Sequence, residues 1–290
     1  MTRPVFRLAP SPNGRLHLGH AYSALLNQNF ATRLDGRLLL RLEDIDTARC
    51  TPEFEAGVLA DLAWLGISWD VPVRRQSEHF DEYQASLRKL EQEGLVYPAF
   101  MSRGEIRAHI AEHNSRNWPH DPDGAPLYPG LDKALSLKKR AALIADGKSF
   151  AWRLDMAGAL ARIGQSLEWT ELSGDDLSHS RAVDARAEAW GDVILARRDV
   201  PTSYHLSVVV DDALQGVTHI VRGLDLFTAT AVHRVLQELL DLPQPAYHHH
   251  RLILGPDGRK LSKSEKSTGI AALRDQGETP ETIRARVCLG

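Results

Sequence analysis

The chain has 290 residues, 43% hydrophobic and 25% charged, with a net charge of −3, which is ordinary for a globular protein of one large or two moderate domains. No apolar run reaches the ~18 residues needed to span a bilayer, and the opening Met1-Thr-Arg-Pro-Val-Phe-Arg lacks the apolar core of a secretory signal. Two cysteines, Cys50 and Cys288, cannot build a disulfide framework, so a reducing, cytoplasmic setting is expected, and with so small a net charge any nucleic-acid surface has to be local.

Val5 to Leu8 reads as a buried strand that runs into Ala9-Pro10-Ser11-Pro12-Asn13-Gly14, a loop stiffened by two prolines. Tyr22, Leu25, Leu26, Phe30 and Leu34 then share one face of a helix over about 20–34, with Gly36 as its stop. Arg37 to Leu42 is a second strand ending in Glu43-Asp44-Ile45-Asp46. Thr51-Pro52 opens a second helix, with Thr as cap and Pro in the first turn. Strand, helix, strand, helix is the start of a parallel α/β sheet.

From about Tyr97 the rhythm breaks around a Pro/Asp/Gly-rich stretch, 118–130, which we read as part of an insertion. Strand-like runs follow at 151–156, 192–196 and 206–210, then a helix near 228–240 and a glycine-flanked loop, 255–264. Thr279-Pro280-Glu281 starts a last short helix. The expected organisation is a nucleotide-binding domain in two halves, 1–96 and 191–250, an inserted subdomain over 97–190, and a C-terminal loop and helical remnant over 251–290.

Two clusters carry phosphate chemistry. His17-Leu18-Gly19-His20 sits at a helix start, where unpaired N–H groups and a partial positive charge attract phosphate. Two imidazoles there can donate hydrogen bonds to a phosphate in its transition state, and Gly19 lets a ligand approach the backbone. The plain alternative is a pair of capping or solvated histidines. Lys260-Leu261-Ser262-Lys263-Ser264 offers two point charges for phosphate oxygens in a loop flanked by Gly255, Gly258 and Gly269, although such a run is more often a solvated basic loop.

Together, and in this order, the clusters closely resemble the HIGH and KMSKS signatures of class I aminoacyl-tRNA synthetases. The stretch Arg7-Leu-Ala-Pro-Ser-Pro-Asn-Gly-Arg-Leu-His-Leu-Gly-His is similar to the opening of glutamyl-tRNA synthetases, as are Leu40-Arg-Leu-Glu-Asp-Ile-Asp, Tyr204-His-Leu-Ser-Val-Val-Val-Asp-Asp and His219-Ile-Val-Arg-Gly. The resemblance covers about residues 3–275. It implies an α/β fold with a Rossmann-type parallel sheet, an inserted subdomain and a truncated C-terminal helical region. It implies ATP as substrate with Mg²⁺, bound by His17, Gly19, His20, Lys260, Ser262 and Lys263, of which His17, His20, Lys260 and Lys263 would be catalytic. It places the binding of L-glutamate on Arg7, Ala9, Ser11, Glu43, Tyr204 and Arg222. An arginine fork suits a side-chain carboxylate, for which Arg222 is the candidate with Arg7 assisting, and Glu43 would meet the α-ammonium.

Glutamyl-tRNA synthetases continue past the second signature with a long anticodon-reading helical region. The 26 residues after Ser264 cannot bury a core of their own. The chain is therefore similar to the short paralogues of that family, the glutamyl-queuosine tRNA(Asp) synthetases, which activate glutamate without tRNA and transfer it to queuosine in the anticodon loop of tRNA(Asp). That implies tRNA(Asp) carrying queuosine as partner, with a monomer expected because nothing forces assembly. A glutamate-activating paralogue with another acceptor stays open. A non-catalytic glutamate- and ATP-binding regulator would show damage at His17, His20, Lys260 or Lys263, and none is present. A nucleotidyltransferase outside the tRNA field would lack the second signature with a glutamate pocket.

Several features read as plain structure. Asp211-Asp212 looks like a turn cap, Asp44 and Asp46 organise a strand end within reach of Mg²⁺, and His248-His249-His250 precedes a strand with one residue near the adenine. The basic clusters Lys138-Lys139-Arg140 and Arg197-Arg198 look like solvated faces. The resembled paralogues usually hold zinc with a Cys-x-Cys pair, a Tyr and a further Cys, where this chain has Ala99, Met101, Tyr128 and Asp132. Zinc wants thiolate or imidazole donors, so no structural zinc is expected, and apolar contacts from Phe100, Met101 and Leu131 would take its place. Elemental analysis of the purified chain should find no stoichiometric zinc. One tightly held zinc per chain contradicts this.

Overall fold

The structure, a computed structural model, describes residues 3–113, 117–255 and 269–289. Its first half runs β1 (Val5–Leu8), α1 (Leu18–Arg33), β2 (Arg37–Leu42), α2 (Pro52–Trp64), β3 (Asp70–Arg75), α3 (Phe80–Gln92), β4 (Val96–Ala99), α4 (Arg103–Glu112) and α5 (Leu137–Ala145). There follow β5 (Ala151–Leu154), α6 (Met156–Ile163), the hairpin β6 (Glu168–Ser173) and β7 (His179–Asp184), and β8 (Ile194–Arg197). The last part is α7 (Tyr204–Leu214), β9 (His219–Gly223), α8 (Thr230–Leu240), β10 (Ala246–His250), α9 (Ile270–Asp275) and α10 (Pro280–Arg286).

A seven-stranded sheet has the order β3-β2-β1-β9-β10-β6-β7, parallel throughout except for the antiparallel pair β6–β7. Strand β1 is buried along its whole length, as a helix-covered parallel strand requires. Pro72 falls in β3, an edge strand, where its missing N–H costs no ladder bond. A second sheet, antiparallel and three-stranded, has the order β4-β5-β8. Within the span 97–190 expected as an insertion, β5 thus belongs to the small sheet, while β6 and β7 extend the large one.

The start of the chain folds as its sequence reads. Thr51 caps α2 by accepting from the Phe54 N–H at 3.3 Å, with Pro52 in the first turn. Gly36 is not the left-handed stop of α1. That role falls to Asp35, at φ 46°, and Gly36 is required instead for close approach, since a Cβ there would lie 2.9 Å from the Pro4 carbonyl and 3.0 Å from the Phe6 ring. The chain's last helices close the core around α1. Ile270, Leu273, Ile283 and Val287 are buried with Phe6, Leu16, Leu25 and Leu40 in one cluster. Each fully buried Leu or Ile of this kind contributes roughly 1.5–3 kcal/mol relative to exposure.

The run 206–210 corrects a sequence expectation. It is helix α7, not a strand, and Leu206 to Asp212 are all buried where α7 packs against α3 and α8. A short run rich in valine has no period that separates strand from buried helix, so tertiary packing decides. Asp211 and Asp212 are correspondingly not a turn cap. Asp212 accepts from Arg41 at 2.8 Å and from Arg7 at 3.2 Å, while Asp211 accepts from Arg74 at 2.7 Å, Gln76 at 2.7 Å and the Tyr83 hydroxyl at 2.9 Å. α7 is thereby bonded to β1, β2 and β3. Burial works to raise the Asp212 carboxyl, but Arg41 and Arg7 outweigh it and hold the group below its usual range. Its contribution to stability is present above the ordinary carboxylate range and is lost as pH falls through the lowered value.

Removing one member of such a buried pair leaves an uncompensated charge. Arg41→Met should lower the unfolding free energy by roughly 3–5 kcal/mol in urea titration. Arg3→Ala, which breaks the exposed Arg3–Asp35 pair, should cost under about 1 kcal/mol. Equal effects would contradict the role of Arg41 in bonding α7 to the sheet.

Candidate active site

Between β1 and β9 the sheet's winding reverses, with β2 and β3 on one side and β9, β10 and β6 on the other. In open α/β sheets, ligands bind outside the carboxyl ends of the strands at such a point. A cavity of about 500 Å³ opens there. Its walls come from the end of β1 and its loop (Arg7, Ala9), the start of α1 (His17, Gly19, His20), the end of β2 (Glu43), the start of α7 (Tyr204) and the ends of β9 and β10 (Arg222, His250). Eight of the residues singled out in the sequence therefore share one cleft. Ser11 is not among the lining residues; its hydroxyl lies 3.8 Å from the Cys50 sulfur. Lys260, Ser262 and Lys263 lie outside the described residues; of the described residues on either side, Ile253 lines the cleft and the Ile270 N–H donates to the Leu16 carbonyl at 2.8 Å.

His17 is the N-cap of α1. Its Nδ1 accepts from the Gly19 N–H at 3.1 Å, and the His20 Nδ1 accepts from the His17 N–H at 3.1 Å. With both Nδ1 atoms used as acceptors, the neutral rings carry their protons on Nε2 and are donors there. The ring centres are 3.8 Å apart. A Cβ at position 19 would come within 3.0 Å of the His17 ring, so Gly19 seats that ring against the backbone.

The three buried arginines of β1, β2 and β9 differ in their partners. Arg7 and Arg41 give their charge to Asp212, and Arg41 also to Glu43 at 3.3 Å. Burial pushes the Glu43 carboxyl up, against the pull of Arg41 and Arg7. Arg222 is 5% exposed and, among the described residues, has no carboxylate partner. Its Nε donates to His249 Nε2 at 3.1 Å, Nη1 to the Tyr204 oxygen at 3.3 Å and His233 Nδ1 at 3.2 Å, and Nη2 to Thr230 Oγ1 at 2.8 Å and the Leu226 carbonyl at 3.1 Å. Burial and then Arg222 itself keep His233 well below its ordinary value, and burial holds Tyr204 above its own, so both neighbours are neutral near pH 7. His233 and Thr230 were not singled out in the sequence, and no local pattern marks them, while His249 was read there only as one of three histidines of plain structure.

The remaining expectations fall elsewhere, apart from His250. Asp44 accepts from the Ser77 N–H at 2.9 Å and hydroxyl at 2.6 Å, and Asp46 pairs with Arg49 at 2.6 Å. The three histidines 248–250 lie within β10 rather than before a strand. His250 lines the cleft, and burial lowers its pKa to about 4. At the positions of the family's zinc ligands, Asp132 accepts from the Tyr128 hydroxyl and from the Phe100 N–H at 3.1 Å. With Ala99 and Met101 beside them, these residues do not fit zinc. The tie there is polar, and Leu131 is 52% exposed rather than packed in place of a metal. A second cavity of about 440 Å³ shares Tyr204 with the cleft and is lined by Arg49, Arg153, Arg197 and His205. Among the described residues no helix is long and apolar enough to cross a membrane.

Comparison with known proteins agrees with this geometry. Residues 5–154 and 157–290 match the family of class I tRNA synthetases (E and Q), catalytic domain. The chain is 43% identical over 289 residues to a Glutamyl-Q tRNA(Asp) synthetase of Rhodobacter capsulatus, covering 98% of this chain and 100% of that one. It is 37% identical to a glutamate–tRNA ligase 2 of a Methylobacterium species, covering 99% of this chain but 60% of that one. A crystal structure of a glutamate tRNA ligase from Elizabethkingia meningosepticum, in complex with its amino acid, superposes with a TM-score of 0.78 at 25% identity, over 100% of this chain and 61% of that one. On its switch-point cleft, its helix-start histidines and these matches, the chain belongs to the catalytic-domain family of the class I tRNA synthetases (E and Q), which are ligases.

Proposed function

We propose that the chain activates L-glutamate with ATP to glutamyl-adenylate and transfers the glutamyl group to queuosine in the anticodon loop of tRNA(Asp). The observation that carries the first half is Arg222, a buried guanidinium whose hydrogen bonds all go to neutral groups, in the same cleft as His17 and His20. A buried cation without a carboxylate partner favours an anionic ligand. In this reading the substrate's side-chain carboxylate accepts the Nη1–H now directed at Tyr204 at 3.3 Å, the longest of the Arg222 contacts, and accepts a hydrogen bond from the Tyr204 hydroxyl. Glu43 meets the α-ammonium from the opposite wall, with Ala9 and Ser11 on the loop beside it.

The α-carboxylate then attacks the α-phosphorus of ATP, and the bond to the pyrophosphate oxygen breaks. The Nε2–H groups of His17 and His20 stabilise charge as it develops on the phosphate, and Gly19 permits close approach. Before that stretch Ile253 lines the cleft, and after it the Ile270 N–H bonds to Leu16, a cleft residue, which supports the assignment of Lys260, Ser262 and Lys263 as ligands of the leaving pyrophosphate, accompanied by Mg²⁺. In the second step a nucleophile on the acceptor attacks the glutamyl carbonyl and AMP leaves. The full-length match to a relative named Glutamyl-Q tRNA(Asp) synthetase supports queuosine as that acceptor. The second cavity, which shares Tyr204 as a wall with the cleft and is lined by three arginines, offers a chamber for a nucleotide of the acceptor.

Glutamate-dependent ATP–pyrophosphate exchange without tRNA is the expected activity, and Lys263→Ala should slow it on the order of 100-fold. An idle exchange with the parent protein overturns the activation reading; an unchanged rate in the variant removes Lys263 from it. With labelled glutamate and ATP, label should appear in tRNA(Asp) that carries queuosine and not in the same tRNA lacking it. Equal labelling of both would redirect the acceptor.

A further inference from the structure

Arg222 is aimed by a chain that crosses three adjacent strands. In the parallel register of β9 and β10, His249 stands opposite Arg222, and on the far side of β10 the strand β6 brings Glu171 against His249. Glu171 is 7% exposed. Its Oε1 accepts from the His249 backbone N–H at 2.9 Å, and its Oε2 accepts from His249 Nδ1 at 2.8 Å and from the Trp169 indole N–H at 3.0 Å. Burial works to raise this carboxyl, but the hydrogen bonds it accepts from His249 and the Trp169 indole hold it below its ordinary value, so it is ionised.

We infer that Glu171 and His249 are positioning residues for Arg222, with Glu171 locking His249 in the tautomer that carries its proton on Nδ1. The reason is one of donors and acceptors. The Arg222 Nε–H can only donate, so the His249 Nε2 facing it at 3.1 Å has to accept. A neutral imidazole that accepts at Nε2 carries its proton on Nδ1, and that proton needs an acceptor. Glu171 supplies it with the same carboxylate that receives two further N–H groups. Every group around its two oxygens is a donor, so an amide in its place would turn an N–H toward another N–H. If the ring changed tautomer to relieve this, its new Nε2–H would oppose the Arg222 Nε–H. Arg222 would then lose one of the contacts that fix its plane.

The same chain explains how the Arg222 charge is tolerated in a buried place and yet left for a ligand. The Glu171 carboxylate reaches Arg222 only through the His249 imidazole, so it does not occupy the Nη edge. His233 supports that edge from α8 and itself contacts His205 at 3.3 Å, so the guanidinium is bracketed by imidazoles from two elements. The inference rests on the reading of Arg222 as the holder of the substrate's side-chain carboxylate.

Three variants and one measurement on the parent protein test it. In ATP–pyrophosphate exchange, Glu171→Gln and His249→Phe should raise the glutamate KM roughly tenfold or more, the scale of a lost hydrogen bond to a charged group, with the ATP KM and thermal midpoint near those of the parent. His249→Gln, whose amide oxygen can accept from the Arg222 Nε–H, should recover much of the loss. If Glu171→Gln and His249→Phe leave the glutamate KM unmoved, or shift both KM values alike, the inference is overturned, as it is if His249→Gln behaves like His249→Phe. Nitrogen-15 NMR of the intact protein should show His249 protonated on Nδ1; a proton on Nε2 overturns the inference whatever the variants do. Arg222→Ala, measured alongside, separates the two levels. A glutamate KM unmoved there strikes the glutamate reading itself, whereas a KM raised there but not by changes at 171 and 249 strikes only the positioning chain.

Discussion

The site depends on a guanidinium that is buried without a carboxylate of its own. Three arginines stand on neighbouring strands, Arg7, Arg41 and Arg222, and all are nearly excluded from water. The first two are neutralised at once by Asp212, and Arg41 further by Asp211 and Glu43. Their work is to bond α7 to the sheet. Arg222 is surrounded by a phenol, a hydroxyl, a carbonyl and two neutral imidazoles. Hydrogen bonds satisfy its N–H groups, but its charge is left to act on whatever enters the cleft. That difference separates the arginines that build the fold from the one the proposed reading gives to the substrate.

The rest of the architecture serves this arrangement. A parallel sheet puts the ends of β1, β2, β9 and β10 at one edge, and the winding reversal between β1 and β9 parts their loops. The start of α1 then meets the gap with two histidines whose outer nitrogens are donors because their inner ones are bound to backbone. The last helices bury Ile270, Leu273, Ile283 and Val287 in the core of α1. That docking anchors the return of the chain beside Leu16, one residue from the N-cap.

How much of this was legible in the sequence depended on the range of the interaction. The strand–loop–helix opening was readable because its signals are local: two prolines, a cap and a face of apolar residues. The cleft residues were readable as two separated signatures whose flanks resemble one family, and the structure brings the described ones together apart from Ser11. What escaped notice was long-range. The bond from Arg7 to Asp212 joins residues 205 positions apart, so Asp211-Asp212 passed for a turn cap. The valines before them passed for a strand because a helix buried all round shows no period. His249 and Glu171 meet only through the register of β6 and β10, which no local pattern encodes. Asp35 rather than Gly36 took the left-handed position because Gly36 was needed for close approach to Pro4 and Phe6.

The most direct test of the central claim is a crystal structure of the protein with L-glutamate bound. The account predicts the side-chain carboxylate within hydrogen-bonding distance of the Arg222 Nη1 and the Tyr204 hydroxyl, with the ammonium toward Glu43 and the α-carboxylate toward His17 and His20. Glutamate bound with its side chain away from Arg222, or seated outside this cleft, would contradict it.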